Sequence, residues 1–192
     1  MTQQRTVAVL VGSLRKGSYS RMIAHALIEL APPELQLEIV EIGQLPLYNQ
    51  DFDDAKTPLP EWVAFRERIR AKDAVLFVTP EYNRSVPGVL KNAIDVGSRP
   101  PGQSAWLGKP GAVVSSSTGA YGGFGANHAL RQSMVFLNVP MMQMPEAYLG
   151  RIAESFDADG KLINDKTCAL LQKFIDAYAA WVRVILAGGN KP

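Results

Sequence analysis

Between Gly12 and Ser20 the chain reads Gly-Ser-Leu-Arg-Lys-Gly-Ser-Tyr-Ser. Serine hydroxyls at 13, 18 and 20 and the cation of Arg15 fall in one short stretch. It follows the apolar run Thr6–Val11 and precedes a helical pattern that starts near Arg21. A strand, a hydroxyl-rich loop and a helix N-terminus in that order make a seat for a phosphate, because free N–H groups and the positive end of the helix dipole point at the anion. Two familiar loops do not fit. A dinucleotide fingerprint needs glycine two residues after Gly12, where this chain has Leu14. A Walker A loop needs Lys-Ser/Thr after Gly17, where this chain has Ser18-Tyr19. Hydroxyls plus one arginine suit a terminal phosphomonoester, whose oxygens accept many hydrogen bonds. The plainer alternative is a Ser/Gly-rich turn with an N-cap at Ser18 or Ser20 and a solvated Arg15.

Two further stretches bear on the choice. Thr79–Pro87 and Ser115–Gly123 each follow an apolar run. In a doubly wound sheet the loops at the C-terminal ends of the central strands meet at the topological switch point. Pro80 stiffens the first of these loops, and its main-chain groups can bond the edge of a planar ring, with Tyr82 beside or over that ring. The glycines at 119, 122 and 123 let backbone approach the ring closely. FMN has both the phosphomonoester and the ring. The plainer readings are a partly buried loop aromatic at Tyr82 and ordinary turn chemistry at the glycines.

The elements needed to position these loops are legible. Thr6–Val11, Ala74–Val78 and Gly111–Ser116 are apolar on both faces, as buried parallel strands are. Leu35, Leu37, Ile39 and Ile42 alternate with polar residues and predict a half-exposed edge strand. Val139–Met144 is read as a short last strand. Helical spacing covers Arg21–Leu30, Pro60 to about Ala71, Pro87 to about Val96, Phe124–Leu137 and Lys166–Leu186. Strands alternating with helices predict an α/β fold of the flavodoxin-like kind, three layers with a five-stranded parallel sheet of order 2-1-3-4-5, as one FMN-binding domain over residues 1–192. The stretch Gly43–Pro60 is long for a connection, and such loops tend to be functional.

Composition excludes several classes. The formal charge is only +2, with both signs interspersed, so no electrostatic footprint for nucleic acid or membrane exists. Cys168 is the only cysteine; it has no disulfide or metal partner and is expected to be a buried small hydrophobe. No metal site is expected. His25 and His128 are the only histidines, both read as structural or solvated. The stretch Met1–Arg5 shows no signal-peptide core, and no apolar run nears the roughly 20 residues of a membrane span. The cytoplasm is the expected location.

Gly-Ser-Leu-Arg-Lys-Gly-Ser at 12–18, Thr-Pro-Glu-Tyr-Asn at 79–83 and Ser-Val-Pro-Gly-Val-Leu-Lys-Asn-Ala-Ile-Asp at 85–95 resemble the NADPH-dependent FMN reductase family, in its bacterial chromate/quinone reductase branch. The resemblance also takes in Leu45–Tyr48 and Leu130-Arg131-Gln132. It implies one FMN per subunit, NAD(P)H as co-substrate, and a homodimer or homotetramer with the flavin near a subunit interface. It implies ping-pong chemistry in which NAD(P)H passes a hydride to the flavin N5 and a quinone then accepts two electrons. Chromate, azo dyes and free flavin are implied as further acceptors. By position it assigns Ser13, Arg15, Ser18 and Ser20 to the phosphate. It assigns Pro80, Glu81, Tyr82 and Asn83 to the isoalloxazine, with Ser117 and Gly119 bordering the ring from the other side. No side chain is expected to be catalytic in itself; the chemistry is on FMN. Glu81 is expected to act through its backbone, with its carboxylate at the surface. Ser20 stands where many relatives have Asn. Gly125 and His128 stand where some have an arginine and a tyrosine that meet a glutamate in a tetramer contact, whereas Glu146 is retained. Tyr48–Asp51 is expected to cover a neighbouring subunit's flavin. Two rivals share the fold: a flavodoxin-type electron carrier, which is typically far more acidic, and a regulatory protein that has lost its flavin.

Overall fold

The computed structural model describes residues 4–188. Met1–Gln3, part of the N-terminal stretch read above, lies outside the described residues.

The three apolar runs form the centre of the sheet: β1 (Arg5–Val11), β3 (Ala74–Pro80) and β4 (Gly111–Ser116). The edges are β2 (Leu35–Ile39) and β5 (Ala147–Leu149). Every neighbouring pair is parallel and the order is β2-β1-β3-β4-β5, as the sequence predicts. Val9 of β1 lies opposite Ile39 on one side and Leu76 on the other.

Because successive side chains of a strand point to opposite faces, β1 feeds two cores. Val7, Val9 and Val11 pack with α1 (Tyr19–Leu30) and with the closing helix, α6 (Asp165–Ala187). Ala8 and Leu10 pack in the core built with α3 (Pro60–Arg70), α4 (Gly88–Gly97) and α5 (Phe124–Phe136). The second core contains Trp62, Trp106 and Phe77, all fully buried. Removing a buried aromatic of this kind costs about 3–5 kcal/mol. On the first face, the Tyr178 hydroxyl donates to Val75 O at 2.7 Å and ties α6 to β3.

Four expectations need correction. Residues 139–144 do not form the last strand. Pro140 and Pro145 have no amide hydrogen to give a ladder, so the chain makes a single parallel bridge, Met141 to Gly111, and pairs properly only from Ala147. The edge strand β2 ends at Ile39, short of Ile42. The stretch 43–60 contains a short helix, α2 (Gln50–Asp54), capped by Asn49. Cys168 is half-buried on α6, not fully buried.

Candidate functional site

The loop after β1 keeps its donors free. Ser18 caps α1, its Oγ accepting from Arg21 N–H at 3.3 Å. Ser13 Oγ accepts from Arg15 N–H at 3.4 Å. In both contacts the hydroxyl is the acceptor, so its proton is left to donate to an anion. The N–H groups of Ser13, Leu14, Lys16 and Gly17 donate to no carbonyl among the described residues. Ser20, nearly fully buried, turns into the same space from the first turn of α1. That turn carries no acidic residue. Arg15 is exposed and forms no ion pair among the described residues. The capping alternative for Ser18 is therefore true, and it leaves an anion seat intact.

The loop after β3 is tied to itself. Tyr82 N–H donates to Ser85 O at 3.1 Å, and Ser85 N–H to Tyr82 O at 2.9 Å. Between them Asn83 and Arg84 both have positive φ, 51° and 64°. That is the pattern of a two-residue hairpin turn whose second central position favours glycine. The Tyr82 ring is 57% exposed, so it stands beside the cleft instead of in the core. The Glu81 carboxylate is not at the surface. Its side chain is 14% exposed, and Oε2 accepts from Ala126 N–H at 3.1 Å, at the start of α5.

The loop after β4 corrects the reading of its glycines. A Cβ at Gly122 would lie 2.5 Å from the Tyr148 carbonyl carbon, so this glycine lets the loop press against β5, not against a ligand. Beneath it, Ser115 Oγ donates to Gly122 O at 2.8 Å and accepts from Asn127 Nδ2 at 3.2 Å, both fully buried side chains. At Gly119, by contrast, a Cβ would meet only Ser117 Oγ, at 4.0 Å.

These three loops enclose one open cleft of about 590 Å³ at the C-terminal ends of β1, β3 and β4. Ser13, Arg15, Ser18, Ser20, Pro80, Glu81, Tyr82 and Ser117 line it. Asn83 and Gly119 do not line it and sit beside it in their loops. Tyr19, Ser116, Thr118 and Ile152 also line it and were missed. Tyr19, Ser116 and Thr118 adjoin residues already singled out. Ile152 lies in a 3₁₀ turn after β5 and carries no motif. A phosphate end rich in donors and a wall holding Pro80 and Tyr82 together fit the FMN molecule.

The long connection 43–60 is tied down at Pro46, Tyr48 and Asp53, and most of its other residues are exposed. Asn92 accepts from Tyr48 N–H at 2.9 Å and donates to Pro46 O at 3.0 Å. Trp62 Nε1–H donates to Pro46 O at 3.0 Å, and the Tyr48 ring lies 5.2 Å from Trp62. Arg66 grips Asp53 with two bonds, 2.9 and 2.7 Å, and donates through Nε to Val96 O. Both side chains of that pair are 4% exposed. The Arg66 guanidinium holds the Asp53 carboxyl below its ordinary range. Neither histidine reaches the cleft lining. His25 is exposed on α1, and His128 Nε2 lies 3.0 Å from the Tyr148 hydroxyl. Burial, with the Glu146 carboxylate, pushes that tyrosine up to about 12.

A family model, NADPH-dependent FMN reductase, matches residues 5–154, most of the chain and all three loops. The chain belongs to the NADPH-dependent FMN reductase family. As a member it is an oxidoreductase that uses FMN and a nicotinamide donor. A Pseudomonas putida protein named quinone reductase is 67% identical over 184 residues, covering 96% of this chain and 98% of its own. A Burkholderia 2-hydroxy-1,4-benzoquinone reductase is 48% identical over 178 residues, 92% of this chain and 96% of its own. Among solved structures, the flavoenzyme NAD(P)H:(acceptor) oxidoreductase FerB from Paracoccus denitrificans is 44% identical, with a TM-score of 0.86 over 94% of this chain and 98% of that one. This FMN reductase family member therefore shares both sequence and fold with flavin enzymes along nearly its whole length.

Proposed function

We propose that the cleft holds FMN with its phosphate in the Gly12–Ser20 loop, and that quinones are the acceptors. The observation that carries this reading is the convergence of eight assigned residues, from three loops far apart in sequence, on one cleft. Ser13, Ser18 and Ser20 donate hydroxyl protons to the phosphate, and Arg15 supplies the charge. Charge-assisted bonds of this kind contribute about 1.5–3 kcal/mol each. Pro80, Glu81 and Tyr82 form one edge of the ring site with Asn83 beside them, and Ser117 borders the other with Gly119 beside it. The flavin, when bound, accepts a hydride from NAD(P)H and delivers two electrons to the acceptor. The chain's own part is to bind, orient and shield. Among the described residues Glu81 is the only carboxylate of the lining, and it is committed to α5.

The names of the relatives favour quinones as acceptors. Chromate, azo dyes and free flavin are proposed as secondary acceptors that share the open cleft. The carrier reading is disfavoured by a net charge of +2 and by enzymatic relatives at high identity. We place the protein in the cytoplasm, as one FMN-binding domain that forms a homodimer or homotetramer. Among the described residues no helix is long and apolar enough to cross a membrane. Tyr121 and Phe124, both more than half exposed beside the cleft, support an assembled state. In that state Tyr48 is tied to its own subunit through Asn92 and Trp62.

Purified protein should be yellow with bound FMN and should oxidise NAD(P)H when a quinone is added. Comparing kcat/KM for NADH and NADPH with a quinone, chromate and an azo dye ranks donors and acceptors. A colourless protein that FMN does not reconstitute contradicts the reading.

A further inference from the structure

The Glu81 carboxylate ties the ring loop to α5, and nothing in the phosphate-seat argument requires it. A carboxylate removed from water needs partners. Glu81 has two: Ala126 N–H at 3.1 Å and the Arg84 guanidinium at 3.7 Å. The first meets a need of the helix. The N-cap of α5 is Gly123, which offers no side-chain bond, and the first turn has no acidic residue. Its free amides and dipole are met from 45 residues upstream.

The partner loop holds one residue, Arg84, in a conformation that it resists. Arg84 has φ +64°, and left-handed backbone is unfavourable for a side chain of that kind. Such a conformation persists only when its surroundings over-determine it. Here the surroundings can be named. Glu81 faces the guanidinium, the Tyr121 ring lies 5.4 Å from it, and the Arg84 carbonyl sits against Gly125. A Cβ at Gly125 would stand 2.7 Å from that carbonyl oxygen and 3.0 Å from Glu81 Oε2. Gly125 is the notch into which the loop fits. Asn83 and Arg84 N–H groups donate to nothing among the described residues, so the turn presents them as free donors.

We propose that Glu81 is a positioning residue for the flavin: its carboxylate, docked on the N-terminus of α5 through the notch at Gly125, holds the Tyr82–Ser85 turn ready for the ring. This rests on the FMN reading above. Loss of the tie makes the loop order itself only on binding, which weakens affinity.

The test uses the full chain. Exchange of the Tyr82 and Ser85 amides, measured without FMN, reads the tie independently of any ligand. Both amides should be protected in the wild type and exchange faster in Glu81→Ala. FMN titration should then show affinity about tenfold weaker in Glu81→Ala, with an altered visible circular dichroism of the bound flavin. Glu81→Gln keeps an acceptor for Ala126 N–H and should bind within about threefold of wild type. Gly125→Ala keeps Glu81 but fills the notch, and should reproduce the Glu81→Ala spectrum and exchange. Wild-type affinity, dichroism and exchange in Glu81→Ala would overturn the proposal. Wild-type protein that protects these amides yet binds no FMN would sink the flavin reading and leave the tie standing.

Discussion

Two stretches read alike in the sequence and turn out opposite in the structure. Gly12–Ser20 and Gly43–Pro60 are both long, polar connections beside the sheet. In the first, hydroxyl protons, several N–H groups and the Arg15 guanidinium lack internal partners among the described residues. In the second, the Pro46 carbonyl, the Tyr48 N–H and the Asp53 carboxylate are spent internally on Asn92, Trp62 and Arg66. Loop length says only that a segment is unusual. Where its donors and acceptors go says whether it binds something or holds the fold together.

The sharpest separation of the two comes from Asp53→Asn. It leaves the Arg66 guanidinium buried without its counter-charge, which costs about 3–5 kcal/mol of stability in urea unfolding. FMN affinity at saturating fold should not change. This effect depends on pH. The Asp53 carboxyl is held below its ordinary range by the Arg66 bonds, so its contribution is complete above the unfolded value of about 3.9 and disappears as pH falls through the lower folded value. The stability gap between wild type and variant should therefore be full at pH 6 and shrink below about pH 4.

Arg15→Ala should do the reverse. FMN affinity should drop about 10- to 100-fold, the worth of a charge-assisted contact. Stability without FMN should stay within about 0.5 kcal/mol of wild type. Ser18→Ala lies between, because that hydroxyl serves both the helix and the anion. It should cost about 1 kcal/mol of stability through the lost cap and several-fold in affinity. Asp51→Ala should be the smallest, within about 0.5 kcal/mol in stability and unchanged in flavin affinity and turnover. A large turnover loss there would mean that the second stretch reaches a neighbouring flavin after all.

Sequence reading served the elements whose signal is local. Continuous apolar runs marked β1, β3 and β4, and helical spacing marked α1, α3, α4, α5 and α6 to within a residue or two. It failed where the signal is spread along the chain. The last strand was misplaced because Val139–Met144 is apolar enough, yet prolines deny it a ladder. Glu81 looked like a surface group because its partner, Ala126, is 45 residues away. The Asp53–Arg66 pair was invisible for the same reason, its members 13 positions apart with a helix start between them. Ile152 entered the cleft from a short turn whose position depends on where β5 ends.

The account stands on the Gly12–Ser20 loop as the seat of the FMN phosphate, and comparing FMN with riboflavin tests that directly. The two share the ring and differ by the phosphate. Titrating both into wild type and Arg15→Ala should show FMN bound far more tightly than riboflavin by the wild type. The gap should narrow in the variant because FMN affinity falls and riboflavin affinity does not. Equal affinities for the two flavins in the wild type, or a loss in Arg15→Ala that is the same for both, would contradict it.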